Sequence, residues 1–337
     1  MIPLTLITGF LGSGKTTLLR RIVARNRDRR VVYLVNEFGE VDIDGRILEG
    51  MLAPEDEEKR AEMSPEGETR RGECASLEVV SIPGGSIFCR CLVSEFVRVL
   101  RQTACEGGAP PDAVVIEASG IADPKIIAQM LAETHLDQQY DLRQVVSVVD
   151  PGSFLKLVDV LPNIVAQVEA ADVVIVNKAD LYDVAQVQAT EEAVRRINPA
   201  SAVVRAEHCR VSDEMLTLVG QERYSRAAGG DYAACVDPNY IRVCVSLDRP
   251  VNLDGLLAAL GEIQPHVYRV KGFVPVSGGR VYIDVSAGGV ECRPVCDGPR
   301  PLAGDSECRV VFIAGPASRE WVERLAGSLR PGRVTWV

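Results

Sequence analysis

The sequence predicts an α/β protein, with a mostly parallel sheet carrying helices on both faces and a smaller α+β domain after it. Three observations predict this. Short β-branched runs alternate with helix-spaced stretches through roughly the first 220 residues, the pattern of βα units around a parallel sheet. A glycine-rich turn, Gly9-Phe-Leu-Gly-Ser-Gly14-Lys15-Thr16, stands between the first such run and the first helical stretch. Beyond a small, polar stretch holding Gly229, Gly230 and Pro238, strands come in runs with fewer helices between them, which suits an α+β unit. A chain of 337 residues has room for about two domains and needs no disulfide or metal staple to close a core.

Each element follows from its own pattern. Residues 4–8 form an apolar strand, 15–26 a helix and 30–36 the next strand. Residues 77–82, 113–117, 145–150, 173–177 and 200–205 repeat the strand type, and 92–102, 125–133 and 184–197 have helical spacing. In the tail, 240–247, 266–276, 280–285 and 309–313 read as strands, with helices at 253–260 and 317–329. This divides the chain into a first domain at 1–224, a linker at 225–239 and a second domain at 240–337. One stretch interrupts the first domain. Residues 51–78 hold nine acidic and four basic residues and few large apolar ones, so it reads as a solvated surface insertion.

Charge and composition exclude several functions. The net charge of −10 opposes binding to a phosphate backbone or to anionic lipid, so neither nucleic acid nor membrane is expected as a partner. No apolar run reaches the ~20 residues that span a bilayer. The first residues have neither a basic region nor a small-residue cleavage site, so a cytoplasmic location with reduced thiols is expected. Three histidines in the whole chain exclude a His-rich metal site.

The glycine-rich turn is a complete G-x-x-x-x-G-K-T in the strand-to-helix context that gives it meaning. Backbone N–H groups of Gly9, Gly12, Ser13, Gly14 and the first helical turn, with Thr17, are placed to cradle phosphate oxygens. Lys15 is expected to neutralise the β- and γ-phosphates, and the Thr16 hydroxyl to reach Mg²⁺. Asn177-Lys178-Ala179-Asp180 ends an apolar strand. The Asp180 carboxylate matches the N1–H and 2-amino donors of guanine; adenine would leave it unpaired, so GTP is expected. Asn177 either holds the loop or reaches the base, and the Lys178 stem can cover the ring. A third part of the site is the strand at 113–117, which ends in Glu117, with Gly120 three residues on. This suits a carboxylate acting on Mg²⁺ through a bound water and a Gly120 N–H meeting the γ-phosphate. Asp150 ends a further strand and is read as the start of the next turn, with Mg²⁺ support as the other reading.

Two segments have residues that could ligate a metal, the first of which reads equally as a solvated acidic turn. Residues 36–44 place Glu37, Glu40, Asp42 and Asp44 just after the second strand. Cys89 and Cys91 lie ahead of a helix, with Arg90 between them. A helix N-terminus and a neighbouring guanidinium favour thiolate. Two thiolates are half of a tetrahedral site, and Glu37, Asp42, His135 or Cys74 are candidates to complete it. Buried free thiols are the other reading. Cys292 and Cys296 are spaced like ligands but have no partner pair.

Taken together, ITGFLGSGKTTLL, NEFGEVDID, PGGSIFCRC, VVIEASGIADP and VNKADL resemble the CobW-like family of P-loop GTPases, relatives of the nickel-insertion GTPases HypB and UreG. The tail resembles that family's small C-terminal domain, most clearly at Val267-Tyr-Arg-Val-Lys271-Gly272. The resemblance implies a GTPase that handles a transition metal for a client metalloprotein. The family's C-x-C-C motif falls on Ser86-Ile87-Phe88-Cys89, so only Cys89 keeps its register and Cys91 adds a thiol beyond it. The expectation is a Mg²⁺–GTP site worked by Lys15, Thr16 and Glu117. Beside it, Cys89, Cys91 and Glu37 would hold Zn²⁺, Co²⁺ or Fe²⁺, which their ligand types suit. A homo-oligomer is among the assemblies the sequence allows. A GTP switch or adaptor without metal, and a P-loop small-molecule kinase, are the alternative functions.

Overall fold

The computed structural model describes residues 1–37, 78–83, 86–89, 92–105, 109–218, 239–295, 308–329 and 333–336. Most of the acidic insertion and of the linker, the loop from 38 to 44, and Cys74, Cys91 and Cys296 therefore lie outside the described residues.

The first sheet is built from β1 (Ile2–Thr8), β2 (Val31–Glu37), β3 (Glu78–Pro83), β4 (Ala113–Glu117), β5 (Tyr140–Val149), β6 (Val173–Val176) and β7 (Ala202–Arg205). Its order is β3-β2-β4-β1-β5-β6-β7, and every pairing is parallel. A parallel sheet hides both faces, so its strands are apolar throughout rather than alternating. Leu4, Leu6, Leu34 and Ile116 face one layer, formed by helices α2 (Val93–Cys105) and α3 (Ile126–Glu133). Ile7, Tyr33, Val115 and Val148 face the other, where Leu18, Leu19 and Ile22 of α1 (Lys15–Arg25) pack. Helices α4 (Pro151–Leu157), α5 (Pro162–Glu169), α6 (Val184–Ile197) and the short α7 (Asp213–Leu216) complete this domain.

The structure corrects some boundaries. β5 begins at Tyr140 rather than at residue 145 and ends at Val149; its polar start, with Asp141 and Gln144 buried, hides it from a hydrophobicity pattern. Asp150 has left the strand and caps α4, its Oδ1 accepting from the Gly152 N–H at 2.9 Å. Neither α4 nor α5 is foreseen, because both open on a proline. At the first helical position proline costs no hydrogen bond and its ring presets φ.

The second sheet contains β8 (Ile241–Leu247), β9 (Arg269–Val276), β10 (Gly279–Ser286), β11 (Gly289–Val295), β12 (Cys308–Ala314) and β13 (Arg333–Trp336), in the order β11-β10-β9-β12-β8-β13 and antiparallel throughout. One face, with Val245, Val270, Ile283 and Phe312, packs on α8 (Leu253–Ile263) and α9 (Arg319–Ser328). The smaller α+β unit is thus as expected, with β11 and β13 added. The opposite face presents Tyr240, Val311 and Ile313 to Phe10 and Leu11 of the first domain.

Candidate functional site

All seven strands of the first sheet run the same way, so their carboxyl ends meet along one edge, where ligands of such sheets bind. The loop from Gly9 to Gly14 leaves β1 on that edge. Gly14 has a φ of +115°, and a Cβ there would lie 2.3 Å from Asn177 Nδ2, so glycine is required both for the backbone and for the approach. Lys15 is buried, and its ammonium donates to the carbonyls of Gly9 at 2.8 Å and Phe10 at 3.2 Å. It therefore lies across the mouth of its own loop, where phosphate charge would fall.

Thr16 opens α1 beside the end of β4. Its hydroxyl donates to Glu117 Oε1 at 3.0 Å, and Glu117 is buried. A hydroxyl and a carboxylate oxygen converging next to a buried lysine are hard oxygen donors of the kind Mg²⁺ takes, so these residues fit the ion. A Cβ on Gly120 would fall 2.7 Å from the Leu11 nitrogen, which puts Gly120, just past the end of β4, directly over the loop.

The Asn177–Asp180 segment reaches the same place. Asn177 Nδ2 donates to the Ser13 carbonyl at 2.8 Å, and its Oδ1 accepts from the Cys209 N–H at 2.7 Å. Of its two expected uses, holding the loop is the one observed. Lys178 takes a φ of +60° and its ammonium pairs with Asp150 at 2.9 Å. That pair, with the helix cap, gives Asp150 its structural role. Asp180 lines the open pocket with Thr17, and its Oδ2 lies 3.8 Å from His208 Nε2.

Residues 206–209, after β7, belong to this site and were not foreseen. Ala206 accepts from the Ala179 N–H at 3.1 Å, and the Cys209 thiol donates to the Gly14 carbonyl at 3.3 Å. Burial pushes that thiol up to about 12. The available signal was positional: the loop follows a predicted strand at the ligand-binding edge.

Asn36 was also unremarked. Its Oδ1 accepts from the N–H groups of Ile87 at 3.1 Å and Ser119 at 3.2 Å, and its Nδ2 donates to the Ile82 carbonyl at 2.9 Å. It thus binds the segment before Cys89 to the loop that carries Gly120. Cys89 is buried, and its carbonyl accepts from the Val93 N–H at 3.0 Å at the head of α2. Phe88 is in the core, edge-on to Phe96 at 6.1 Å. Glu37 is described as the backbone end of β2, and Cys91 is outside the described residues. His135 stands before the start of β5, at the opposite edge of the sheet, too far along the strands to join Cys89. Cys292 is on β11, packed against the second domain's core. Among the described residues, no three His, Cys, Asp or Glu side chains group into a metal site. Nor is any described helix long and apolar enough to cross a membrane.

Comparison with known proteins places the chain in a family. The pattern "CobW/HypB/UreG, nucleotide-binding domain" matches residues 3–205, and "Cobalamin synthesis protein cobW C-terminal domain" matches residues 240–329. Zinc chaperone CobW of Pseudomonas aeruginosa is 29% identical over 308 residues, 82% of this chain and 78% of that one. Zinc chaperone YeiR of Escherichia coli is 30% identical, over 65% of this chain and 59% of that one. Zinc-regulated GTPase metalloprotein activator 1 of Dictyostelium discoideum is 27% identical, over 67% of this chain but half of its own length. Among solved structures, Zn(II)-bound YjiA GTPase from E. coli aligns over 97% of this chain and 98% of its own at 21% identity, with a TM-score of 0.46. By the two family patterns, which between them reach every strand of both sheets but the last, the chain belongs to the CobW/HypB/UreG family and carries the CobW-type C-terminal domain.

Proposed function

We propose that this protein is a Mg²⁺-dependent GTPase that carries a transition metal, zinc in the first instance, to a client metalloprotein. In this reading residues 1–224 form the GTPase domain, 225–239 the linker and 240–337 the domain that meets the client. The observation that carries the reading is the convergence at one sheet edge of Lys15, the Thr16–Glu117 pair, Gly120 and the Asn177–Asp180 segment. Lys15 and the Mg²⁺ held at Thr16 and, through water, at Glu117 stabilise charge at the β,γ-bridge. Asp180 reads guanine, and the Gly120 N–H meets the γ-phosphate.

The names of the relatives support zinc as cargo. Cys89, Cys91 and Glu37 are the proposed ligands, with Co²⁺ and Fe²⁺ compatible by ligand type. Asn36 gives a physical route between the two events. It ties the Gly120 loop to the backbone beside Cys89, so γ-phosphate and metal order the same elements and each alters the affinity of the other.

The test is a titration of the reduced full-length protein with Zn²⁺ and Co²⁺, with and without GTP. Wild type should take up about one equivalent with thiolate–Co²⁺ absorption, and GTP should shift the affinity. Lys15→Ala should lose nucleotide and keep the fold; Cys89→Ser should lose the metal and keep the nucleotide. Normal metal uptake by a Cys89→Ser/Cys91→Ser double variant overturns the metal site. Normal nucleotide affinity in Lys15→Ala overturns the GTPase reading.

A further inference from the structure

The hairpin of β10 and β11 shows a clean division of faces. Val281, Ile283 and Val285 point into the second domain's core. The alternate positions, Tyr282, Asp284 and Ser286 with their cross-strand partners Arg293, Glu291 and Gly289, line the nucleotide pocket instead. The turn touches both motifs that define that pocket. A Cβ on Gly12 would lie 2.6 Å from the Ser286 Cβ, and a Cβ on Gly288 would lie 2.9 Å from Lys178 Nζ. Glycine at position 12 is what lets the second domain come this close to the phosphate loop; at Gly288 the near neighbour is the movable end of the base-side lysine.

The charges lining the pocket fit a polyanion. Five cationic and three acidic side chains face it, within a chain whose net charge is −10. Two of the acids are already met on the second domain: Arg269 holds Asp284 through two contacts of 3.2 and 2.7 Å, and Arg293 pairs with Glu291. The Arg293 guanidinium is thereby held over the mouth while still half exposed.

We infer that the second domain is part of the nucleotide site. The turn at 286–289 closes over the ribose and α-phosphate of the bound nucleotide, which lie between Gly12 and Lys178, and Arg293 contacts the phosphate. The second domain thus sets how long the nucleotide stays, and a client that moves it speeds release. The inference rests on the guanine-nucleotide reading above.

The test measures release of fluorescently labelled GDP from the full-length protein. Arg293→Ala should release GDP about tenfold faster, the loss of one charge-assisted hydrogen bond. Ser286→Asp, which puts a like charge on the turn beside the phosphates, should do the same. Arg319→Ala, on α9 and away from the pocket, should leave the rate unchanged. In wild type, GDP should slow amide exchange at 286–291, a measurement that needs no variant. Wild-type rates in both pocket variants, with no protection of the turn, overturn the inference while Lys15→Ala still loses GDP. Retention of GDP by Lys15→Ala overturns the reading beneath it as well.

Discussion

The Asn36 amide is buried and uses both of its ends, accepting from Ile87 and Ser119 and donating to Ile82. Asn36→Ala leaves those buried backbone groups without their partner, which should lower stability by about 3 kcal/mol; urea unfolding measures it. Nucleotide affinity should fall as well, because Ser119 adjoins Gly120; unchanged GTP affinity would separate the hub from the site. Cys209 makes a different prediction. Its thiol rests against the Gly14 carbonyl, and burial raises it from the ordinary 9.0 to about 12. The folded state therefore resists ionising it. This contribution to stability is complete below pH 9 and is lost as pH rises from 9 to 12. Since the thiolate is the nucleophile, Cys209 should stay unalkylated in the native protein at pH 8 and react once it unfolds. Rapid labelling of the native protein at Cys209 would contradict the burial assigned to it.

At the scale of elements, the sequence disclosed whatever a repeating pattern could reveal. β1, β4 and α6 stand close to or at their expected bounds, because each is a run of β-branched residues or a helical stripe with a cap: Asp183 accepts from the Gln186 N–H at 2.7 Å. The elements that escaped lack that signature. Pro151 and Pro162 begin helices but read as breakers, and Gly289–Val295 alternates with little burial. The site was legible wherever backbone chemistry demands a residue type, as at Gly14, Lys15 and Thr16. It was not legible at Asn36 or Cys209, whose value lies in contacts between distant segments. Gly120 tests the link between an element's end and the chemistry. A Cβ there would meet Leu11 at 2.6 Å. Gly120→Ala should therefore cost about tenfold in GTP affinity, one lost N–H contact, and spare GDP. Competition of each nucleotide against labelled GDP decides it; equal losses of both would place the damage in the phosphate loop itself.

Across the whole molecule, the glycine-rich turn is also where the two sheets pack together. Phe10 and Leu11 stand at positions that the G-x-x-x-x-G-K-T pattern leaves unspecified, yet both are buried against Tyr240, Tyr268, Val311 and Ile313. Phe10 and Tyr268 meet edge to face at 5.6 Å, and Tyr240 meets Tyr268 at 5.6 Å as well. The turn that would hold phosphate is therefore clamped from behind by the second domain. Anything that stiffens the turn must stabilise that contact too. Ligand bound at a hundred times its Kd adds about 2.7 kcal/mol to whatever unfolds together with the site. In wild type, GDP should consequently raise the melting of both domains as one transition. Tyr268→Ala removes the central, half-buried ring of the clamp, a loss of about 2 kcal/mol with its two ring contacts, while leaving every residue of the first domain in place. The variant should melt in two steps, of which only one moves with GDP. Calorimetry with and without nucleotide distinguishes the cases. A single GDP-shifted transition in Tyr268→Ala would mean that the two sheets are coupled through the hairpin at 286–289 rather than through the aromatic clamp.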